Sequence, residues 1–152
     1  MALIDYYQIQ EDLKTLLEAG PAAGWTTQPT FVFIEAMERE AVFSSMPFIN
    51  IRMLEAEMEQ RSLPNGYYST ITMEIDIITF DLSEFRKAAT LRDDIMGEAQ
   101  LAVQENPRFN SEILTASIAP SVRFGAGTPE GAGGHIAVGT FTVTVETYIE
   151  PT

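Results

Sequence analysis

The chain contains no cysteine and only one histidine, His135. Without cysteine it can form no disulfide, perform no thiolate chemistry and build no Cys-based zinc site. A histidine-based metal site normally needs more than one His, and a catalytic triad needs a nucleophile and an acid that the sequence does not place beside His135. These absences predict a protein that is not an enzyme and that uses no metal and no cofactor.

Basic residues are also scarce, because 9 Lys and Arg stand against 22 Asp and Glu, which gives a net charge of −13. Proteins that bind duplex DNA from outside need Lys and Arg to neutralise phosphates and release counterions. The nearest approach to a basic cluster is Arg86, Lys87 and Arg92 on one predicted helix, and a solvated helix face explains it better. A groove-binding role is therefore disfavoured, whereas an acidic surface suits a wall along which DNA slides without sticking.

Signals for export, membrane insertion and phosphate binding are missing too. The opening segment MALIDYYQIQEDLK has no basic region followed by an apolar one, and no run approaches the roughly 18 apolar residues of a membrane span. We therefore expect no membrane partner. The glycine-rich segment Gly125–Gly134 matches neither phosphate-loop pattern and precedes a predicted strand, so a flexible hairpin loop is the better interpretation.

What the sequence does contain is a hydrophobic period that changes from 2 to about 3.6 and back between Tyr67 and Ile149. At 152 residues one domain, residues 1–152, is expected. We predict an α+β fold, with a mixed, mostly antiparallel sheet of about four to five strands and two helices packed on one face. Pro120 marks an edge or a bulge in its strand. The predicted helices cover 3–19 and about 85–106, and the strands cover 31–35, 48 onward, 67–80, 112–124 and 136–149.

Three finer predictions concern side chains in these elements. Asp81 caps the second helix while Glu84 reaches back, as in a capping box. The second helix directs one face towards the sheet: Phe85, Ala88, Ala89, Leu91, Ile95, Ala99, Ala102 and Val103. The strand 112–124 directs one side inward: Leu114, Ala116, Ile118, Val122 and Phe124.

The strand that begins at Phe48 changes phase part-way along its length. Its odd positions are apolar up to Met53 and acidic afterwards, which predicts a β-bulge or a strand that continues as an arm. A helix over Arg52–Arg61 is the alternative, because Met, Leu, Glu and Ala favour helix. We prefer a strand, because Leu63-Pro64-Asn65-Gly66 is a hairpin turn signal.

The resulting hairpin arm, near residues 54–68, supplies the candidate site. On a strand, Glu55, Glu57 and Glu59 (the acidic row) project from one face. The alternating residues Leu54, Ala56 and Met58 project from the other and need an apolar neighbour. Two strands alone bury too little to be stable, so the arm calls for another subunit. We predict these six residues to form a subunit interface or to line a channel.

The order of elements resembles that of the tail terminator (tail-completion, minor tail protein U-like) proteins of long-tailed bacteriophages. The resemblance is carried by the N-terminal amphipathic helix, a hairpin, YYSTITMEIDIITF, the helix DLSEFRKAATLRDDIMGEAQLAVQENP and the closing strand GTFTVTVETYIEP. It extends over nearly the whole chain and rests on element order and length. No catalytic residue is carried over, because the family has none.

The resemblance implies a structural virion protein in the tail or neck, assembled in the host cytoplasm. It implies a ring, usually of six subunits, on the last ring of the tail tube, where it stops tube growth and contacts a neck or head-connector protein. DNA would occupy the channel only in passing and without sequence specificity. Two alternatives remain, namely another neck or tail-tube protein of the virion, or a small cytosolic oligomeric binding domain.

Overall fold

The described residues fold into a five-stranded sheet covered on one face by two helices. The computed structural model describes residues 4–35, 46–62, 66–128 and 133–149. The predicted α+β class is confirmed. The elements in chain order are α1 (Tyr6–Ala19), β1 (Phe31–Ile34), β2 (Phe48–Ser62), β3 (Gly66–Asp81), α2 (Phe85–Glu105), β4 (Ile113–Gly127) and β5 (His135–Ile149).

The strands are ordered β1-β2-β3-β5-β4 across the sheet. Only the short pair β1 and β2 is parallel, and the other three pairs are antiparallel. The sheet is therefore mixed and mostly antiparallel, as predicted. Neither described helix is long and apolar enough to cross a membrane.

Helix α1 is fixed at both ends by specific contacts. Asp5 is the N-cap residue, and its carboxylate accepts a hydrogen bond from the Gln8 N–H at 3.0 Å. At the other end Gly20 has φ +78°, and a Cβ atom there would lie 2.5 Å from the indole nitrogen of Trp25. That nitrogen donates to the Leu17 carbonyl at 3.0 Å, so the indole closes the end of the helix.

Helix α2 packs against the middle strands, and its inward face is largely the predicted one. Ile95, Ala99, Ala102 and Val103 are fully buried. Ile95, Ala99 and Val103 share one core cluster with the inward side chains of β3, which are Ile71, Met73, Ile75 and Ile77. Phe85 was wrongly placed inward. It is the first residue of the helix and is 41% exposed.

The predicted capping box at the start of α2 does not form. Glu84 is the N-cap residue and its side chain makes no capping bond. The Asp81 carboxylate instead accepts the backbone N–H groups of Ser83 and Glu84, at 2.9 and 2.8 Å, in a turn that precedes the helix. The Glu84 N–H, followed by the bonds from Ser83, lowers the pKa of Asp81.

The phase change in β2 is a bulge, as predicted, and the helical alternative for Arg52–Arg61 is wrong. Met53 pairs with Met73, and the next pair is Glu55 with Thr72, so Leu54 is the extra residue. Beyond the bulge, even positions of β2 continue the helix-covered face and odd positions continue the opposite face. The charge pattern of the sequence follows from this one inserted residue.

Strand β4 is an edge strand with two irregularities, one between Ile113 and Thr115 and one between Ile118 and Val122. The second contains Pro120, so both readings of that proline are confirmed. The first irregularity also explains one wrong placement. Leu114 was expected on the inward side, yet it is the extra residue there and is 40% exposed, whereas Ile113 is buried. Phe124 lies on the helix-covered side, as predicted, because it pairs with Gly139 and its ring contacts Arg92 of α2, although it is 63% exposed.

Candidate assembly surface

In the part of the chain that the structure describes, one face of the sheet carries no helix, and we call it the open face. Its centre is a charged cluster formed by Arg52 on β2, Glu74 and Asp76 on β3, and Arg123 on β4. Arg52 bonds Glu74 at 2.5 Å and Asp76 at 2.7 Å, and Arg123 bonds Glu74 at 2.5 Å. Thr140 on β5 donates its hydroxyl to Asp76 at 2.7 Å. The cluster thus joins four strands through side chains.

The period-2 pattern of β3 puts Glu74 and Asp76 on the open face, but they are not solvated there. Glu74 is 8% exposed and Asp76 is 9% exposed, because the arginine side chains lie over them. The hydrogen bond to Asp76 raises the pKa of Arg52 above its ordinary value, although burial acts to lower it. The two positive and two negative groups neutralise one another, so the centre of the open face carries no unpaired charge from these four residues.

The part of the open face beyond the cluster is rich in threonine and glutamate. Thr70 and Thr72 on β3 pair with Glu146 and Thr144 on β5. On β2, the acidic row lies beside them, because Glu55, Glu57 and Glu59 pair with Thr72, Thr70 and Tyr68. Glu55 and Glu57 are exposed. This half of the open face is therefore hydroxyl-rich and acidic.

The six predicted site residues are divided between the two faces of β2. Ala56 and Met58 lie on the helix-covered side, where they pair with Ile71 and Ser69, and Leu54 is the bulge residue. All three are exposed, Leu54 at 49% and Met58 at 61%. The described residues thus leave the apolar side of the arm uncovered. Whether these residues contact a subunit or line a channel stays a prediction.

The arm itself is broader than two strands. Strand β3 pairs with β5 as far as Tyr67 and Ile149, and β5 pairs with β4 as far as Thr147. The described part of the arm therefore has three strands at its end and four at the level of Ala56. The sequence reasoning missed β5 here because pairing between distant segments leaves no local signal. At this level the β2 side is left as an edge among the described residues, since β1 ends at Ile34, and the outer side of β4 is the opposite edge.

The remaining polar candidates form no reactive arrangement in the described residues. Arg92 bonds Asp93 at 3.0 Å and lies 4.7 Å from the ring centre of Phe124. His135 begins β5 opposite Asp81. No group of three or more His, Asp or Glu side chains that could hold a metal ion occurs in the described ranges.

No protein-family model matches the chain, and no curated protein matches it either. Among solved structures, it is similar to a chain in one described as "Virion of native gene transfer agent (GTA) particle". The identity is 14%, the TM-score is 0.42, and the similarity covers 93% of this chain and 90% of that chain. These values are too low to carry a function across.

The charged cluster is the feature that sequence reasoning missed. Glu74 and Asp76 were recognised as wet-face residues of a strand, and Arg52 and Arg123 were not connected with them. A signal did exist, because Arg52 and Arg123 lie on two other predicted strands, and Arg123 is the one cation of its strand in the sequence 112–124. Strand order was needed to bring these residues together.

Proposed function

We propose that this protein is a structural subunit of a phage-type virion, forming a ring at the head-proximal end of the tail tube. There it stops tube growth and joins the tail to the neck or head. The observation that carries the proposal is the open face, which is acidic and hydroxyl-rich and whose two central arginines are held by Glu74 and Asp76. The element order, which resembles that of tail terminators, supports the same role.

The chemistry of the open face suits a channel wall. DNA that crosses a ring must not bind it, and each free Lys or Arg on the wall would exchange counterions with the phosphates and retain the strand. Glu55 and Glu57 repel phosphates instead, and threonine hydroxyls keep the surface wet. The open face then points to the channel and the helices point outward.

The role proposed is structural and not catalytic. The partners that follow are other copies of this chain, with six as the expected number, a tail-tube protein on one side, and a neck or head-connector protein on the other. DNA passes through without sequence-specific contact. The location is the tail or neck of the virion, after assembly in the host cytoplasm.

Electron microscopy of particles made with and without the protein tests this role. Its omission should give tails of uncontrolled length that fail to join heads, and a labelled copy should appear at the tail–head junction. Normal, head-joined tails in its absence would contradict the proposal. Native mass measurement separates the alternatives, because a stable dimer that retains a small ligand would favour a cytosolic binding domain.

A further inference from the structure

Besides the outer edge of the short β1, two longer strand edges of the sheet have no strand beside them in the described residues. One belongs to β2 beyond Ile51, where β1 has ended, and the other is the outer edge of β4. At the end of β1, Glu35 extends the pairing by one step, because its carboxylate accepts the Met53 N–H at 2.6 Å. Exposed edges of this kind invite another chain to pair.

The two edges lie at the same level of the sheet. Pairing places Ala56 of β2, Ile71 of β3, Val145 of β5 and Ala116 of β4 in one row. A second row, on the open face, contains Glu57, Thr70, Glu146 and Thr115. Since three antiparallel pairs separate them, β2 and β4 run in opposite directions. A copy rotated about an axis along the strands therefore brings its β2 antiparallel to β4 of its neighbour.

The side chains of the two edges also match. The described β2 edge carries Glu55 and Glu57, whereas residues 113–118 of β4 carry no acidic group, and Thr115 and Ser117 are exposed there. Arg108 lies against this strand, because its Nε donates to the Leu114 carbonyl at 3.1 Å. The β4 edge thus offers the hydroxyls of Thr115 and Ser117, and nearby Arg108, to the glutamates of a neighbouring β2. Exposed apolar side chains also occur on both edges, namely Met58 on the helix-covered side of β2 and Leu114 at the first irregularity of β4.

We propose that β2 residues 54–59 of one copy pair with β4 residues 113–118 of the next copy, so that the four long strands of each subunit join into one continuous sheet around the ring. This inference rests on the proposed ring and names the surfaces that meet in it. With no axial shift, Glu57 lies opposite Thr115, and Glu55 lies opposite Ser117. An axial shift moves the register by an even number of residues, which keeps the same faces together.

This contact is weak by itself. Hydrogen bonds contribute little net free energy each, and a short ladder does not compensate for the lost translational and rotational freedom. The isolated protein is then mostly monomeric and closes into rings on a tube end. The irregularities and Pro120 in β4, and the acidic row in β2, oppose pairing of these two edges with strands of unrelated chains.

Disulfide trapping tests the contact, and the cysteine-free chain makes it clean. In the double variant Glu57→Cys with Thr115→Cys, the two thiols of one copy are three strand spacings apart, roughly 14 Å, which is too far to bridge. Any disulfide therefore joins two copies. Glu57→Cys with Ser117→Cys tests a shifted register, and Leu82→Cys with Leu101→Cys is the matched control on exposed positions outside the edges.

Under mild oxidation, one of the two edge pairs should form dimers, trimers and larger species about tenfold faster than the control pair, a factor set by 1.4 kcal/mol. The ladder should end in a closed species with no free thiol. Two results would overturn the inference. In the first, neither double-cysteine edge variant cross-links faster than the control variant. In the second, the single variant Glu57→Cys forms dimers as readily as the double variants do. The latter indicates that β2 pairs with β2.

The outcome is separable from that of the proposed function. If omission of the protein gives uncontrolled tails but neither edge pair cross-links, the ring role stands and its contacts lie elsewhere. If an edge pair gives the closed ladder while omission leaves tails normal, the contact stands and the role at the tail end is wrong.

Discussion

Replacing Met58 with Asp should separate folding from assembly. Met58 lies on the helix-covered side of β2, past the bulge, and it is 61% exposed. Full burial of a methionine side chain is worth about 1.5–3 kcal/mol, so this partly buried one contributes at most about 1 kcal/mol to folding. A reversible melt should therefore show a small loss of stability.

The effect on assembly should be much larger. In the edge-to-edge contact, an Asp at position 58 would lose its hydration beside the apolar Leu114, where the nearby Arg108 already bonds the Leu114 carbonyl. Burying such a charge in an interface costs several kcal/mol. A penalty of about 3 kcal/mol weakens association by roughly a hundredfold. Tails carrying only this variant should be abnormal in length, although the protein is folded.

Two controls make the result interpretable. Met58→Leu keeps the apolar surface and volume, so it should assemble normally. Leu101→Asp makes the same chemical change on an exposed side of α2, where the side chain is 43% exposed, and it should leave the edge-to-edge contact intact. Length-controlled tails at normal yield from folded Met58→Asp protein would refute the reasoning.

Three further predictions concern the core, the channel and the response to acid. Ile95→Ala should cost about 2–5 kcal/mol in a reversible melt, and exposed Leu101→Ala far less; a loss below about 0.5 kcal/mol at Ile95 would mean that α2 is wrongly oriented. Changing the whole acidic row to Lys should slow DNA release from assembled particles, with relief at higher salt; unchanged release kinetics would place the row outside the channel. Burial opposes ionisation of Glu98, but hydrogen bonds from Thr26 outweigh it and lower the pKa of Glu98. The stability that Glu98 contributes is therefore fully present above the pKa that Glu98 has in the unfolded chain. It is lost as the pH falls through the lowered pKa that Glu98 has in the folded protein. Urea melts should show Glu98→Gln less stable than wild type near neutral pH and the difference vanishing in acid; a difference independent of pH would contradict this.

The sequence predicted the features that depend on local period. Alternation in β3 and the helical stripe of α2 identified Ile71, Ile75, Ile95 and Ala99 as core residues, because burial of one face imposes its period on the sequence. The phase flip at Leu54 predicted the bulge for the same reason, since one inserted residue exchanges the faces.

What the sequence did not predict depends on contacts between distant segments. In the strand order β3-β5-β4, one strand separates β3 from β4, and Arg123 reaches across it to Glu74. No local pattern in the sequence shows that order. Leu114 was placed inward because alternation was counted through the irregularity between Ile113 and Thr115, where one extra residue exchanges the faces. The candidate site could be located on β2, but not the second edge that completes it.

The charged cluster has a mechanical consequence in a closed ring. Pressure inside a particle stretches a ring around its circumference, and with strands along the axis that tension pulls neighbouring strands apart. The salt bridges run across the strands, because Arg52 on β2 bonds Glu74 on β3, and Glu74 bonds Arg123 on β4 across the intervening β5. They lie in the direction of the load and act in parallel with the backbone ladders. A force applied at either edge is thereby shared with the centre of the sheet. The salt bridges hold β2 to β3, and β3 to β4 across β5, in addition to the backbone hydrogen bonds.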